Sequence, residues 1–238
     1  MWNWSDLLLI SITLIIAFFV SSNVMRSTLA ELLPGTGQAT LRLILLLVFY
    51  VIEILVVVYI AHRHNYRFSI LYRLRPASED AAPGLGKRVG EIGMSSLLIF
   101  GFLVLTRGFG MLWSFATDAI GWHPTSTGDV LTMFGTSQQS IVLAVICVVV
   151  LAPFIEEIIF RGVFLPTLDM MMPLWVAVAV TAMIFAVYHA SLWAFIPHVV
   201  LGLATGYLAV ECRTLWPAII LHALYNATLV AAPFFLAF

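Results

Sequence analysis

The sequence predicts an all-α membrane protein, a polytopic bundle of about seven transmembrane helices. Of its 238 residues, 62% are hydrophobic and only 10% are charged, whereas roughly 45–50% of the residues of a soluble domain are apolar. The apolar residues also form long runs that polar or proline- and glycine-containing segments separate. These observations exclude a soluble globular fold, and the net charge of -1 gives no electrostatic surface for nucleic acid.

Seven apolar windows follow one another along the chain. Each is long enough, or nearly so, to cross a hydrocarbon layer of about 30 Å. The first window lacks a basic flank and a small-residue cleavage site, so we expect a retained helix rather than a signal peptide. The segment from Trp113 to Ser140 is mixed in polarity, and it could be a loop or an interfacial helix. The windows are Leu7–Ser22, Leu41–Ala61, Ile92–Leu112, Ile141–Leu165, Pro173–His189, Leu192–Val210 and Leu215–Phe235.

The placement of lysine and arginine predicts the orientation of these helices. The connection after the second window holds Arg63, Arg67, Arg73, Arg75, Lys87 and Arg88, out of a total of 11 Lys plus Arg in the chain. The positive-inside rule places such a connection in the cytoplasm. Alternation from that point predicts a cytoplasmic N-terminus and an exterior C-terminus.

The fourth window contains three charges, which makes it the first place to look for a function. Glu156, Glu157 and Arg161 interrupt an otherwise apolar run, and each charge at a helix centre costs about 2.5–3.5 kcal/mol. Glu157 and Arg161 are four residues apart in the order that favours an ion pair. Glu156 points about 100° away from Glu157. The window is therefore either a packing arrangement of two carboxylates around one arginine or part of a site.

Two further pairs with a spacing of four lie in the fifth and seventh windows. Phe185 and His189 share one helical face, and His222 and Asn226 share another. A single intramembrane histidine is more often a hydrogen-bonded packing residue. Together with Glu156, however, these residues supply an acid, two imidazoles and an amide on three helices. Such a set can activate water and stabilise an oxyanion.

The three motifs resemble those of the CAAX protease and related intramembrane endopeptidases, the CPBP or Abi family, which contains the prenyl-protein endopeptidases of the Ras-converting type. The family pattern EExxxR, FxxxH and HxxxN occurs in order and without substitution. The resemblance implies a catalytic core at about residues 141–235 within a single membrane domain of residues 1–238. It also implies a conical intramembrane catalytic cavity that opens to the cytoplasm, in a bacterial or archaeal cell membrane.

The resemblance further implies a role for each motif residue. Glu156 with His189 would be the general base for a water that attacks the scissile carbonyl, while His222 and Asn226 would donate hydrogen bonds to the oxyanion. Three residues would support this set: Glu157, Arg161 and Phe185. The implied partners are the lipid bilayer and a membrane-associated protein or peptide substrate, which is prenylated in the CAAX type.

The metal requirement stays open at this point. Glu156, His189 and His222 could be three ligands of a catalytic Zn²⁺, with water as the fourth. The sequence has no HExxH motif, and a metal would occupy the residues that are needed as base and hydrogen-bond donor. We therefore favour a metal-free glutamate-type peptidase without a cofactor.

Two other classes of function compete with the peptidase. One is a non-proteolytic membrane factor that binds or protects a partner, as a bacteriocin immunity or assembly protein does. The other is a small proton-coupled transporter, which would use Glu53, Glu156 and the histidines. Transporters of that kind have repeats and paired broken helices, which we do not find in this sequence. The intact motifs favour the peptidase.

Five residues outside the motifs also lie in membrane windows. Glu53 is a functional candidate by its position, and we expect it to be an interhelical partner. Pro197 predicts a kink, and the spacing of Gly202 and Gly206 predicts a close helix contact. His198, beside the proline, could reach a cavity, although the sequence favours a packing role.

Overall fold

The computed structural model describes residues 4–19, 38–63, 85–122 and 138–235. All regular secondary structure in these ranges is helical, which confirms the all-α class. The described ranges contain seven helices, which we number in chain order: α1 (Trp4–Phe19), α2 (Gln38–Arg63), α3 (Leu85–Ala119), α4 (residues 138–169), α5 (Leu174–Tyr188), α6 (Leu192–Cys212) and α7 (Trp216–Phe235).

Four of these helices, α2, α3, α4 and α6, are long and apolar enough to span a membrane. Helix α5 has only 15 residues, so it extends about 22 Å at 1.5 Å per residue. The apolar part of α7 is also shorter than a full span. The predicted set of about seven helices therefore agrees with the structure, and three of them, α1 with 16 residues, α5 and α7, are shorter than the four spanning helices.

Helix α3 extends further than the apolar window in the sequence indicated. It continues through Trp113 to Ala119, where the sequence has no proline or glycine. Gly121, which has a positive φ of 71°, follows the end of the helix. The first part of the mixed segment is therefore helical. Residues 123–137 of that segment and residues 64–84 of the basic connection lie outside the described residues.

Helix α4 alternates between α- and π-helical turns. Val145–Leu151 and Phe160–Phe164 are π-helical, and α-helical pieces precede, separate and follow them. Each π segment comes just before a proline, Pro153 or Pro166. Proline has no N–H to donate to the preceding turn. A wider π turn before the proline is compatible with this missing hydrogen bond. Such π turns occur often at functional sites.

The helices form two compact units. Unit 1 contains α1, α2, the part of α4 up to Glu156 and the part of α7 from Asn226. Unit 2 contains α3, α4 from Glu157, α5, α6 and α7 up to Tyr225. In unit 1, α2 packs against α1 and the beginning of α4; in unit 2, α6 packs against α5 and α3. Because α4 and α7 contribute to both units, the single domain with a core at residues 141–235 stays a prediction.

Helices α5 and α6 approach each other closely at two glycines. A Cβ atom at Gly202 would lie 2.9 Å from the Cα of Ala182, and one at Gly206 would lie 2.9 Å from Cγ1 of Val178. Any larger residue would therefore require a shift. This confirms the predicted helix contact for the Gly202 and Gly206 pair.

Candidate active site

Phe185 lies at the centre of a cluster in unit 2. Its side chain is fully buried, and its ring centroid lies 4.6 Å from that of His189, 5.9 Å from that of His198 and 5.5 Å from that of His222. The guanidinium carbon of Arg161 lies 4.8 Å from the same centroid, within the range of a cation–π contact. Residues from all three sequence motifs therefore meet at Phe185.

Glu157 connects the first motif with the third. Its Oε1 accepts hydrogen bonds from Nη1 of Arg161 at 3.0 Å and from Nδ1 of His222 at 2.9 Å. All three side chains are buried. Because an ionised carboxylate only accepts, Nδ1 of His222 carries a proton. The predicted pair of Glu157 and Arg161 is confirmed, and Glu157 in addition orients an imidazole 65 residues away in the chain.

Arg161 also joins α4 to α6. Its Nη2 donates to the carbonyl oxygen of Gly202 at 2.9 Å, at one of the two glycines where α6 lies close to α5. The guanidinium thus has a carboxylate and a carbonyl as acceptors and an aromatic ring against its face. A buried charge needs such pairing, because removal from water without it is costly.

His189 caps the end of α5. The helix ends at Tyr188, and the last carbonyls of any helix lack N–H partners within it. Nδ1 of His189 lies 2.8 Å from one of them, the carbonyl oxygen of Phe185. A carbonyl can only accept, so Nδ1 carries the proton, and Nε2 is the basic atom of the neutral ring. The spacing of four in FxxxH therefore has a local structural reason as well as a chemical one.

A proline on α6 provides an attachment point for α3 next to His189. Pro197 has no N–H, so the carbonyl of Trp193, four residues earlier, loses its helical donor. The indole Nε1 of Trp113 donates to that oxygen at 2.8 Å. The ring of Trp122 lies edge-on to both tryptophans, at centroid distances of 6.1 and 5.7 Å. The end of α3 is in this way tied to the beginning of α6.

His198 belongs to the cluster although no motif includes it. Its ring lies 3.9 Å from that of His189, with an angle of 35° between the planes. Its Nδ1 lies 2.6 Å from the carbonyl oxygen of Ala194. The only sequence signal for His198 was its position beside Pro197, and the packing role that we favoured from the sequence understates its contacts.

The remaining motif residues lie in unit 1. Glu156 is buried, and it interacts electrostatically with Tyr50 of α2, as does the buried Glu53. Sequence reasoning missed Tyr50, because a tyrosine in an apolar helix gives no signal of its own. The interhelical role of Glu53 stays a prediction.

Asn226 compensates for a second proline. Its Nδ2 donates to the carbonyl oxygen of Val148 at 2.8 Å, within the first π-helical segment of α4. In π spacing a carbonyl pairs with the N–H five residues on, and for Val148 that residue is Pro153, which has none. The amide thus uses one of its two N–H groups in this helix contact.

The donor set of a zinc site is not assembled here. Within the described ranges, no three His, Cys, Asp or Glu side chains are grouped so that they could hold a metal ion. His189 and His222 each have Nδ1 bound to a protein acceptor, so only Nε2 could ligate. The metal-free reaction stays a prediction.

Together, the fold and the site define a polytopic membrane protein with a buried network of carboxylate, arginine and histidine groups. Residues 138–228 match the family model described as "Type II CAAX prenyl endopeptidase Rce1-like". This part of the chain is therefore similar to that family, which agrees with the resemblance found in the sequence. The match covers every motif residue from Glu156 to Asn226.

Among curated proteins, the chain is similar to "Putative membrane peptidase YdiL" of Bacillus subtilis (strain 168). The two are 26% identical over 143 residues, which cover 59% of this chain and 57% of that protein. The chain thus spans less than two thirds of this relative's length. No solved structure matches the chain.

Proposed function

We propose that the protein is an intramembrane endopeptidase that hydrolyses peptide bonds of membrane-associated proteins or peptides. The observation that carries this proposal is the Rce1-like match, because residues 138–228 include the complete set of motif residues. The contacts of unit 2 support it, since the buried Glu157, His222 and Phe185 form one chain of contacts that reaches the half-buried His189. A buried set of this kind is costly in a membrane and is typical of a functional site.

Glu156 and His189 activate the water in this proposal. The roles follow from the family motif, and the geometry of His189 suits its part, because Nδ1 is held by the carbonyl of Phe185 and Nε2 can accept a proton. The water oxygen attacks the carbonyl carbon as its proton passes to the base. A proton then reaches the leaving nitrogen as the C–N bond breaks.

His222 and Asn226 stabilise the oxyanion of the tetrahedral intermediate. Nδ1 of His222 is engaged with Glu157, so donation to the oxyanion requires a proton on Nε2, with the carboxylate of Glu157 as the counter-charge. Asn226 donates through its second N–H, because the first is bonded to the carbonyl oxygen of Val148. Loss of one such donor typically lowers the rate by about 10²- to 10³-fold.

Candidate substrates come first, from a comparison of membrane peptides in cells that carry the wild type or Glu156→Gln. The test is then cleavage of these substrates, in detergent or vesicles, by the purified wild type, Glu156→Gln and His189→Ala. We expect cleavage by the wild type and none by either variant. The exposed Glu211 on α6 gives a matched control, because Glu211→Gln removes a carboxylate outside the cluster and should cleave normally. Normal cleavage by either motif variant refutes the proposal.

Two further arms of the assay define the substrate and the cofactor. Paired peptides with and without a prenyl group show whether the activity is of the CAAX type or of a broader membrane-peptide type. Metal analysis and chelation address zinc: we expect activity to survive chelation. Stoichiometric zinc in the active protein, with activity lost on its removal, would replace the metal-free mechanism.

A further inference from the structure

His198 and His189 lie against each other as two nearly stacked rings. Their centroid distance of 3.9 Å is shorter than the roughly 4.5–7 Å at which aromatic pairs usually lie. His189 belongs to the end of α5, and His198 belongs to α6, so the contact joins the two helices across their connecting turn. In this turn Ala190 has a left-handed φ of 48°.

The other neighbours of His189 contact it differently. Phe185 and Tyr188 approach the imidazole edge-on, with interplanar angles of 66° and 87°, whereas His198 lies at 35° and therefore covers a ring face. The edge-on neighbours come from α5 itself. His198 is thus the face contact that a second helix provides.

His198 is itself held in place. Its Nδ1 donates to the carbonyl oxygen of Ala194 at 2.6 Å, which attaches the ring to its own helix and fixes the ring plane. A phenylalanine could stack at this position, but it could not make this hydrogen bond. The hydrogen bond and the stacking together make His198 a rigid surface for its neighbour.

We propose that His198 is a positioning residue for His189: it covers one ring face and keeps Nε2 of His189 in the direction that proton transfer requires. This inference rests on the proposed function of His189 as a base. Without the cover, the His189 ring can rotate about its terminal torsion, lose the Phe185 carbonyl and present Nε2 in several directions. A base that is misplaced by about 1 Å can lose about 10²-fold in rate.

The experiment compares His198→Ala, His198→Phe and the control Phe195→Ala, which removes a ring from the same helix. For His198→Ala we expect kcat to fall about 10- to 100-fold with KM within about twofold of the wild type, because a residue that only positions the base affects the chemical step and not binding. His198→Phe keeps a ring but loses the anchor, and its kcat should lie between those of the wild type and His198→Ala. Phe195→Ala should match the wild type.

A second measurement does not depend on activity. Nitrogen-15 NMR of histidine-labelled protein distinguishes the two neutral tautomers, and the His189 signal is identified by its loss in His189→Ala. We expect the Nδ1–H form alone in the wild type and a mixture in His198→Ala. If His198→Ala does not fold, His198→Leu keeps most of the volume without a planar ring and carries the same expectations.

The outcomes separate this inference from the peptidase proposal. A wild-type kcat in His198→Ala or His198→Leu overturns the positioning role and leaves the peptidase standing. A lower kcat with an unchanged His189 tautomer also overturns it, because His198 would then act in another way. If the wild type cleaves nothing, the peptidase proposal fails, and the NMR comparison still decides whether His198 holds His189.

Discussion

Substitution of Glu157 by glutamine should destabilise the protein more than any change to an exposed carboxylate. Glu157 accepts two hydrogen bonds, at 3.0 and 2.9 Å, from Arg161 and His222, and all three side chains are buried. A hydrogen bond to a charged group contributes about 1.5–3 kcal/mol, so two of them amount to about 3–6 kcal/mol. Loss of one partner of a buried ion pair costs about 3–5 kcal/mol in other proteins. We expect a loss of about 3–5 kcal/mol in the free energy of unfolding.

The assay is reversible unfolding in mixed detergent micelles, with Glu211→Gln as the matched control. The double variant Glu157→Gln with Arg161→Met removes the charge that the single variant leaves without its carboxylate, so it should recover part of the lost stability. A loss below about 1 kcal/mol in Glu157→Gln, the value of an exposed pair, would refute the reasoning. So would a double variant that is less stable than the single one.

Two further predictions concern the contacts that hold the histidine cluster in unit 2. Gly202→Ala should lower stability more than Gly206→Ala, because the new Cβ meets the backbone of Ala182 in the first case and only a side-chain methyl of Val178 in the second; equal melting temperatures would contradict this. Trp113→Phe keeps a ring but removes the indole donor to α6, and loss of this part-buried hydrogen bond should cost about 0.5–1.5 kcal/mol. Unfolding measurements of this variant that match the wild type would show that the bond contributes nothing.

The periodicity of the sequence predicted the helices and the pairs within them. A spacing of four identified the Glu157 and Arg161 pair and the Phe185 and His189 pair, because residues at that spacing share a helical face. The same periodicity does not identify which faces of different helices meet. The bond between Glu157 and His222 and the contact between His189 and His198 both join different helices. The sequence therefore predicted only a supporting role for Glu157 and a packing role for His198.

The π-helical turns of α4 could not be predicted from the periodicity of the sequence either. Apolar windows assume 3.6 residues per turn, whereas two stretches of α4 have π turns. The prolines that follow these stretches were visible in the sequence, but a proline alone does not determine whether a helix bends, widens or ends.

The two proline-freed carbonyls affect how the helices recognise one another during assembly in the bilayer. Lipid tails offer no hydrogen-bond donor, so a helix that exposes the oxygen of Val148 or Trp193 to them incurs a penalty of several kcal/mol. Asn226 removes this penalty at one oxygen and Trp113 at the other. Each proline therefore favours contact with the one neighbouring helix that carries a hydrogen-bond donor, and it disfavours contact with a purely apolar helix at the same position. A missing N–H thus helps to determine which helices pack together.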